Sequence, residues 1–164
     1  MDAAEFLDLV IFPNAQIFTS LCPKISVGRE ACVMMIAIAG QESDWQERRQ
    51  IRGPARSYWQ FERMGGVVEV MDKCPEPLRN VTLWTQIPYQ REVLFEAMAW
   101  NDALAFAFAR LLLWQDRAPL PPLGAEATAW DYYLRNWRPG VPRPEKWPRV
   151  YRAACEAVQR VGRG

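Results

Sequence analysis

Nine consecutive apolar residues, Ala31-Cys32-Val33-Met34-Met35-Ile36-Ala37-Ile38-Ala39, constrain the fold of this chain more than any other stretch. They lie inside a segment whose pattern predicts a helix over about residues 27–41, with Ser26 as a fair N-cap. A helix that is apolar on every side has no face to offer water, so it must be central and packed all round. Glu42 stands where that helix would leave the core. Ser43 follows, then a polar, arginine-rich stretch that closes at Tyr58-Trp59-Gln60-Phe61. A carboxyl group between a buried helix end and an aromatic wall is disfavoured as an anion. Its pKa rises, and it can carry a proton near neutral pH. Glu42 is therefore the leading candidate for a general acid.

The rest of the chain reads as helices joined by proline-rich connectors. Asp2 caps a short helix over residues 3–11, Phe12-Pro13-Asn14 breaks it, and a second short helix through Ile17 and Phe18 ends before Pro23. Helical pattern resumes near Tyr58 and, after Gly65-Gly66, covers residues 67–73, where Pro75 and Pro77 interrupt again. Residues 89–100 are amphipathic. Asn101 or Asp102 then caps a second, almost wholly apolar helix over residues 103–114. Beyond the stiff connector 117–124, helices are expected over residues 125–137 and 145–161. No segment shows the alternation of a strand, although a small β-hairpin fits inside residues 43–57. The expectation is an all-α, or mostly α, single domain over residues 1–164, long enough to bury its own core.

Composition narrows the chemistry. The chain has no histidine, which removes Ser-His and Cys-His nucleophile pairs and the usual His-ligated zinc site. Its four cysteines are far apart with no CxxC pair, and Cys32 lies in the apolar run as a core thiol. No metal and no cofactor are expected, and carboxylates are left to do the chemistry. The formal charge of +1 makes the chain as a whole no nucleic-acid binder, yet it is unevenly spread. From Arg135 onward, eight Lys/Arg against two Glu give +6, leaving −5 on the remainder. A solvated basic tail and a basic face for an anionic polymer both fit. The opening MDAAEFLDLV carries acids where a signal peptide needs positive charge, and no apolar run reaches about 18 residues. The expectation is a protein made in a reducing cytoplasm, with free thiols and no membrane span.

Two elements carry a resemblance. Glu42-Ser43 ends a buried helix, and Gln60, within Ser57-Tyr58-Trp59-Gln60-Phe61, follows Glu42 by eighteen residues. In this the chain resembles the lysozyme-like lytic transglycosylases of the soluble-lytic-transglycosylase type, where a G-L-M-Q-[IL] segment lies at that distance from a catalytic Glu. The apolar helix begun by Asn101 and carrying Phe108 is similar to the family's third motif. Asn136 and Pro139-Gly140 look like a weakened form of its fourth, Y-N-A-G-P-G. Two departures stand out. Ser57-Tyr58-Trp59 replaces Gly-Leu-Met, and Arg135 occupies the place of the tyrosine that approaches the Glu, for which Tyr132 or Tyr133 would have to substitute.

The resemblance implies a lysozyme-like fold around the central helix and cleavage of the MurNAc-GlcNAc bond of bacterial peptidoglycan, by transglycosylation or hydrolysis. It implies Glu42 as acid and base, and Ser43, Tyr58, Trp59, Gln60, Phe108, Tyr132, Tyr133 and Asn136 as the substrate-binding set. Trp45, Trp59 and Trp137 are candidate stacking platforms, and Asp44 or Glu62 would position a water if hydrolysis is the outcome. The run Arg48, Arg49, Arg52 and Arg56 is either a solvated loop or a contact for peptidoglycan carboxylates. A short Trp-rich domain of this kind looks like a bacteriophage or prophage lysis or virion protein, made in the host cytoplasm, with glycan strands and virion or lysis proteins as partners. The competing reading is a non-catalytic virion or adaptor protein that keeps the scaffold, and Arg135 is the feature that favours it.

Overall fold

The computed structural model describes residues 1–161 and forms helices without a sheet among them. The first helical rod, α1 (residues 3–21), opens on Asp2. Its carboxylate accepts from the backbone N–H groups of Ala4 and Glu5 at 2.8 and 2.9 Å, while Glu5 accepts from Asp2 N–H. Pro13 does not break this rod, contrary to the sequence expectation. The turn before it widens into a π-helical turn, Leu7–Ile11, in which Phe12 N–H reaches Leu7 O. A wider turn makes room for the proline ring, and Asn14 Nδ2 donates to Val10 O at 2.7 Å within it.

The central helix α2 spans Arg29–Ser43, beginning at Gly28 rather than Ser26. From Ala31 to Ser43 every residue is buried except Glu42. The expected central helix is thus present and runs two residues further, so Glu42 occupies its last turn rather than the first residue beyond. Next come α3 (Gly66–Lys73) and α4 (Pro75–Thr85), all but continuous with each other. Pro75 starts α4 instead of interrupting, because the first turn of a helix needs no N–H from it. Two further helices are α5 (Arg91–Ala97) and α6 (Asp102–Trp114), and Asn101 caps α6 by accepting from Leu104 N–H at 2.9 Å. The chain finishes with α7 (Glu126–Trp137) and α8 (Trp147–Val161). Instead of a hairpin, residues 49–61 form a folded loop in which Arg56 bridges in isolation to both Arg49 and Phe61.

Two nearly all-apolar helices, α2 and α6, form the interior and touch each other, and the amphipathic helices are laid around them. The most extensive partner of α2 is α8, which turns Trp147, Val150, Tyr151, Ala154, Ala157 and Val158 inward at helical spacing. Phe6 of α1 stands edge-on to Tyr58 and Trp59, and Trp59 Nε1 donates to Met35 O on α2 at 2.8 Å. The aromatic pair thereby ties the loop after α2 to the core.

How α2 ends decides where Glu42 points. Asp44 and Trp45 both take left-handed backbone angles (φ 50° and 58°), which reverses the chain under the helix. Trp45 is buried, donating from Nε1 to Ile36 O at 2.8 Å, so it is an anchor and not a stacking platform. Gly40 leaves the room for it: a Cβ there would lie 2.5 Å from Trp45 Cζ2 and 3.0 Å from Val150 Cβ. Gly40→Ala is accordingly expected to destabilise by about 1–3 kcal/mol, a fall in Tm of about 2–4 °C per kcal/mol. Thermal unfolding followed by tryptophan fluorescence checks this.

Candidate active site

Glu42 opens into a cleft of about 1100 Å³. Its walls are the end of α2, the loop through Gln60 and Phe61, one side of α3, and the segment running from Asn136 to Arg143. The floor is apolar, with the Phe61 ring and Leu112 against Gly66, where a Cβ would fall 2.8 Å from Phe61 Cδ1.

Tyr133 delivers its hydroxyl to Glu42, donating to Oε1 at 2.6 Å. The ring is held by stacking on Trp147 (5.2 Å, 15°) and by Trp130 (5.2 Å), so the donor is fixed rather than free to swing. Burial pushes the Glu42 carboxyl above its ordinary range. The Tyr133 hydrogen bond and the charges of Arg143 and Lys146 pull it down, and Glu62 pushes it further up. The balance is upward. Tyr133 is itself pushed far above the usual tyrosine range by burial and by the Glu42 charge, so it stays a donor. Of the two tyrosines that sequence offered for this place, Tyr133 takes it. Tyr132 is buried and donates to Leu113 O at 2.7 Å. Arg135 is on the surface, paired with Asp116 at 2.8 Å.

Several other residues expected at the substrate prove to be framework. Tyr58, Trp59 and Phe108 are core side chains that do not line the cleft. The chain reversal turns the first two rings toward α1 and α2, and Phe108 packs on Phe61 from within α6. Ser43 lines the cleft, but its hydroxyl lies 2.8 Å from Tyr58 O and 3.0 Å from Ala39 O, stapling the helix end to the loop. Asn136 also lines the cleft, with both ends of its amide engaged. Nδ2 donates to Asp116 and Tyr132 O, and Oδ1 accepts from Gln115. Gln60 remains at the cleft in a left-handed conformation (φ 50°). Its amide nitrogen donates to Ser57 O at 2.8 Å and to Glu47 O at 3.2 Å, so the end left for a ligand is its carbonyl oxygen. Trp137 also keeps a face on the cleft, while its Nε1 donates to Trp59 O.

The chain matches no protein-family model, no curated protein and no solved structure. Among the described residues no set of three His, Cys, Asp or Glu side chains is placed to hold a metal ion, and no helix is long and apolar enough to cross a membrane. The chemistry within reach is proton transfer by a carboxyl group whose pKa burial raises, next to a fixed hydroxyl.

Sequence reasoning missed two features of the site. One is a polar chain along the cleft wall, running from Asp116 through Asn136 and Gln115 to Lys73, Glu69 and Arg138. Its members are scattered over the sequence and share no spacing. The other is the return of the basic C-terminal segment to the end of α2. Lys146 and Arg149 pair with Asp44, and Lys146 and Arg143 donate to Gln41 O. The single signal in sequence was the charge imbalance, which did not say where the cations go.

A carboxyl group with a raised pKa adds to stability when protonated, and that contribution disappears as pH rises through its folded-state pKa. Glu42→Gln keeps the acceptor for Tyr133 and removes the charge. It is expected to raise Tm at neutral pH, with the gain shrinking to nothing well below about pH 4, where Glu is protonated folded and unfolded alike. Melting curves at several pH values give the test. Tyr133→Phe, which deletes a hydrogen bond favouring the anion, is expected to raise the Glu42 pKa further, read from carboxyl carbon NMR titration.

Proposed function

We propose that this chain is a lysozyme-like, peptidoglycan-cleaving glycosidase, with Glu42 as the general acid and then the general base at the MurNAc-GlcNAc β-1,4 bond. The observation that carries the reading is the pairing of Glu42 with Tyr133 at 2.6 Å, at the exit of the central helix and inside a cleft large enough for a saccharide. The motif order in the sequence agrees with it.

In this reading protonated Glu42 gives its proton to the glycosidic oxygen. The C1–O bond of MurNAc breaks and GlcNAc leaves as an alcohol. The positive charge growing at C1 is met by the acetamido oxygen of the same sugar, so a second enzyme carboxylate is not required. Glu42, now a carboxylate held by Tyr133, removes the proton of the 6-hydroxyl as O6 bonds to C1. The product is a 1,6-anhydro end, and Glu42 is protonated again with no water consumed. The Gln60 carbonyl oxygen is available to accept from an acetamido N–H. Should water attack instead, Glu62 is the better placed carboxylate, since Asp44 is tied to Lys146 and Arg149. A lysis or virion protein of a bacteriophage or prophage, acting on the host wall, is the setting this activity would fit. The non-catalytic alternative drew on Arg135, and with the Tyr133 hydroxyl at Glu42 that support falls away.

Purified cell walls should lose turbidity with the wild-type protein, and Glu42→Gln should lower the rate by about 100-fold to 10,000-fold. Equal rates, or no clearing by either protein, would end this reading. Mass spectrometry of the released fragments separates the outcomes, because the anhydro product is one water lighter. Tyr133→Phe should move the basic limb of the pH–rate profile upward, following the Glu42 pKa.

A further inference from the structure

Three cations line the cleft: Lys73, Arg138 and Arg143. Lys73 and Arg138 are both paired with Glu69. Among the described residues Arg143 has no carboxylate partner. Its guanidinium is nonetheless held. Nη2 donates to Gln41 O at 3.0 Å, and Gln41 Nε2 donates back to Arg143 O at 2.9 Å, a two-way clasp on the residue just before Glu42. Gln41 is only 2 % exposed, so the clasp is rooted in the core. It engages one of the five N–H donors of the fork and leaves the remainder for a ligand. Arg143 lines the same cleft as Glu42 and is clasped to the residue preceding it, so its charge is felt by both Glu42 and Tyr133. An exposed planar cation tethered at the cleft by one N–H, with most donors open and no carboxylate partner among the described residues, suits an oxyanion. Three of the four arginines of the 48–56 loop are used elsewhere: Arg48 pairs with Asp102, and Arg49 and Arg56 pair with Glu96, while Arg52 does not line the cleft.

We propose that Arg143 is a substrate-binding residue that holds a carboxylate carried on a side arm of the glycan, near the bond whose oxygen Glu42 protonates. This rests on the glycan-cleaving reading and sharpens it. A muramic-acid sugar carries a lactyl arm whose carboxylate is either free or extended by a peptide bearing its own carboxylates, and a plain GlcNAc polymer has neither. Arg143 would then be what distinguishes a muramic-acid polymer from chitin. Glu47, Glu62 and Asp72 line the same cleft, so an anion is favoured at the Arg143 wall and opposed near those groups.

Binding is best measured by calorimetry in a Glu42→Gln background, which keeps the ligand intact. The probes are chitotetraose, a peptide-free GlcNAc-MurNAc tetrasaccharide, and the same tetrasaccharide with peptide on its lactyl groups. Adding Arg143→Gln should weaken one or both muramic-acid ligands about tenfold and leave chitotetraose nearly unchanged. Arg143→Lys should recover part of the loss. The wall stays docked in both variants, since Gln41 Nε2 still reaches the residue-143 carbonyl and Lys146 still caps Gln41 O. A loss confined to the peptide-free ligand assigns the lactyl carboxylate, and one confined to the peptide-bearing ligand assigns a stem carboxylate. Equal loss on all three ligands, or on none, overturns the proposal. If the folded Glu42→Gln protein binds none of the three, the glycan reading itself falls and takes this role with it.

Discussion

The structure depends on how an all-apolar helix is allowed to end. Helix α2 is enclosed from Ala31 onward apart from Glu42, and its last carbonyls would be left unpaired in the core unless something met them. The chain solves this by folding back at Asp44 and Trp45 and seating the Trp45 indole under Gly40. The Arg143 guanidinium and Lys146 ammonium come onto Gln41 O from a different part of the chain. Cations at a helix C-terminus are favoured by the exposed carbonyl charge, so these contacts satisfy the helix and fix the cleft wall together. Glu42 is the residue on that last turn left with an outlet.

The same enclosure explains the character of the acid. A carboxyl group at the end of a buried helix is raised by desolvation, and the groups around it temper that rise without cancelling it. Tyr133 serves a different purpose from the charges. Stacked on Trp147, it brings a directional donor that Glu42 can use as an anion. Burial favours the neutral form, and the hydroxyl limits the cost of the charged one. A group that must give up a proton and then take one back needs both.

The framework roles of Tyr58, Trp59 and Phe108, and the engaged amide of Asn136 at the cleft wall, show what local reading does not see. Each is aromatic or polar at a position where resemblance expects a groove wall. Each is instead turned inward or consumed by a hydrogen bond from elsewhere in the chain. Proline misled for a related reason. Pro13 and Pro75 were read as breaks, but a π-helical turn accommodates the first and a helix start accommodates the second. Neither arrangement is visible in a local pattern, because packing against α6 or α2 decides whether the adjustment is worthwhile.

The sequence by itself determined that the protein would be helical, that residues 31–39 would be central, and that Glu42 would sit where the central helix meets the polar loop. Those follow from the helical pattern, the lack of any polar face and the place of Glu42 just after the apolar run, which are properties of neighbouring residues. Tertiary structure alone decided which tyrosine reaches Glu42, that the C-terminal cations fold back on α2, and that Arg143 comes to the cleft with no carboxylate partner among the described residues. Those choices join residues about ninety to a hundred positions apart. They turn on helix rotation and on which partner is nearest in space, and a one-dimensional pattern carries neither.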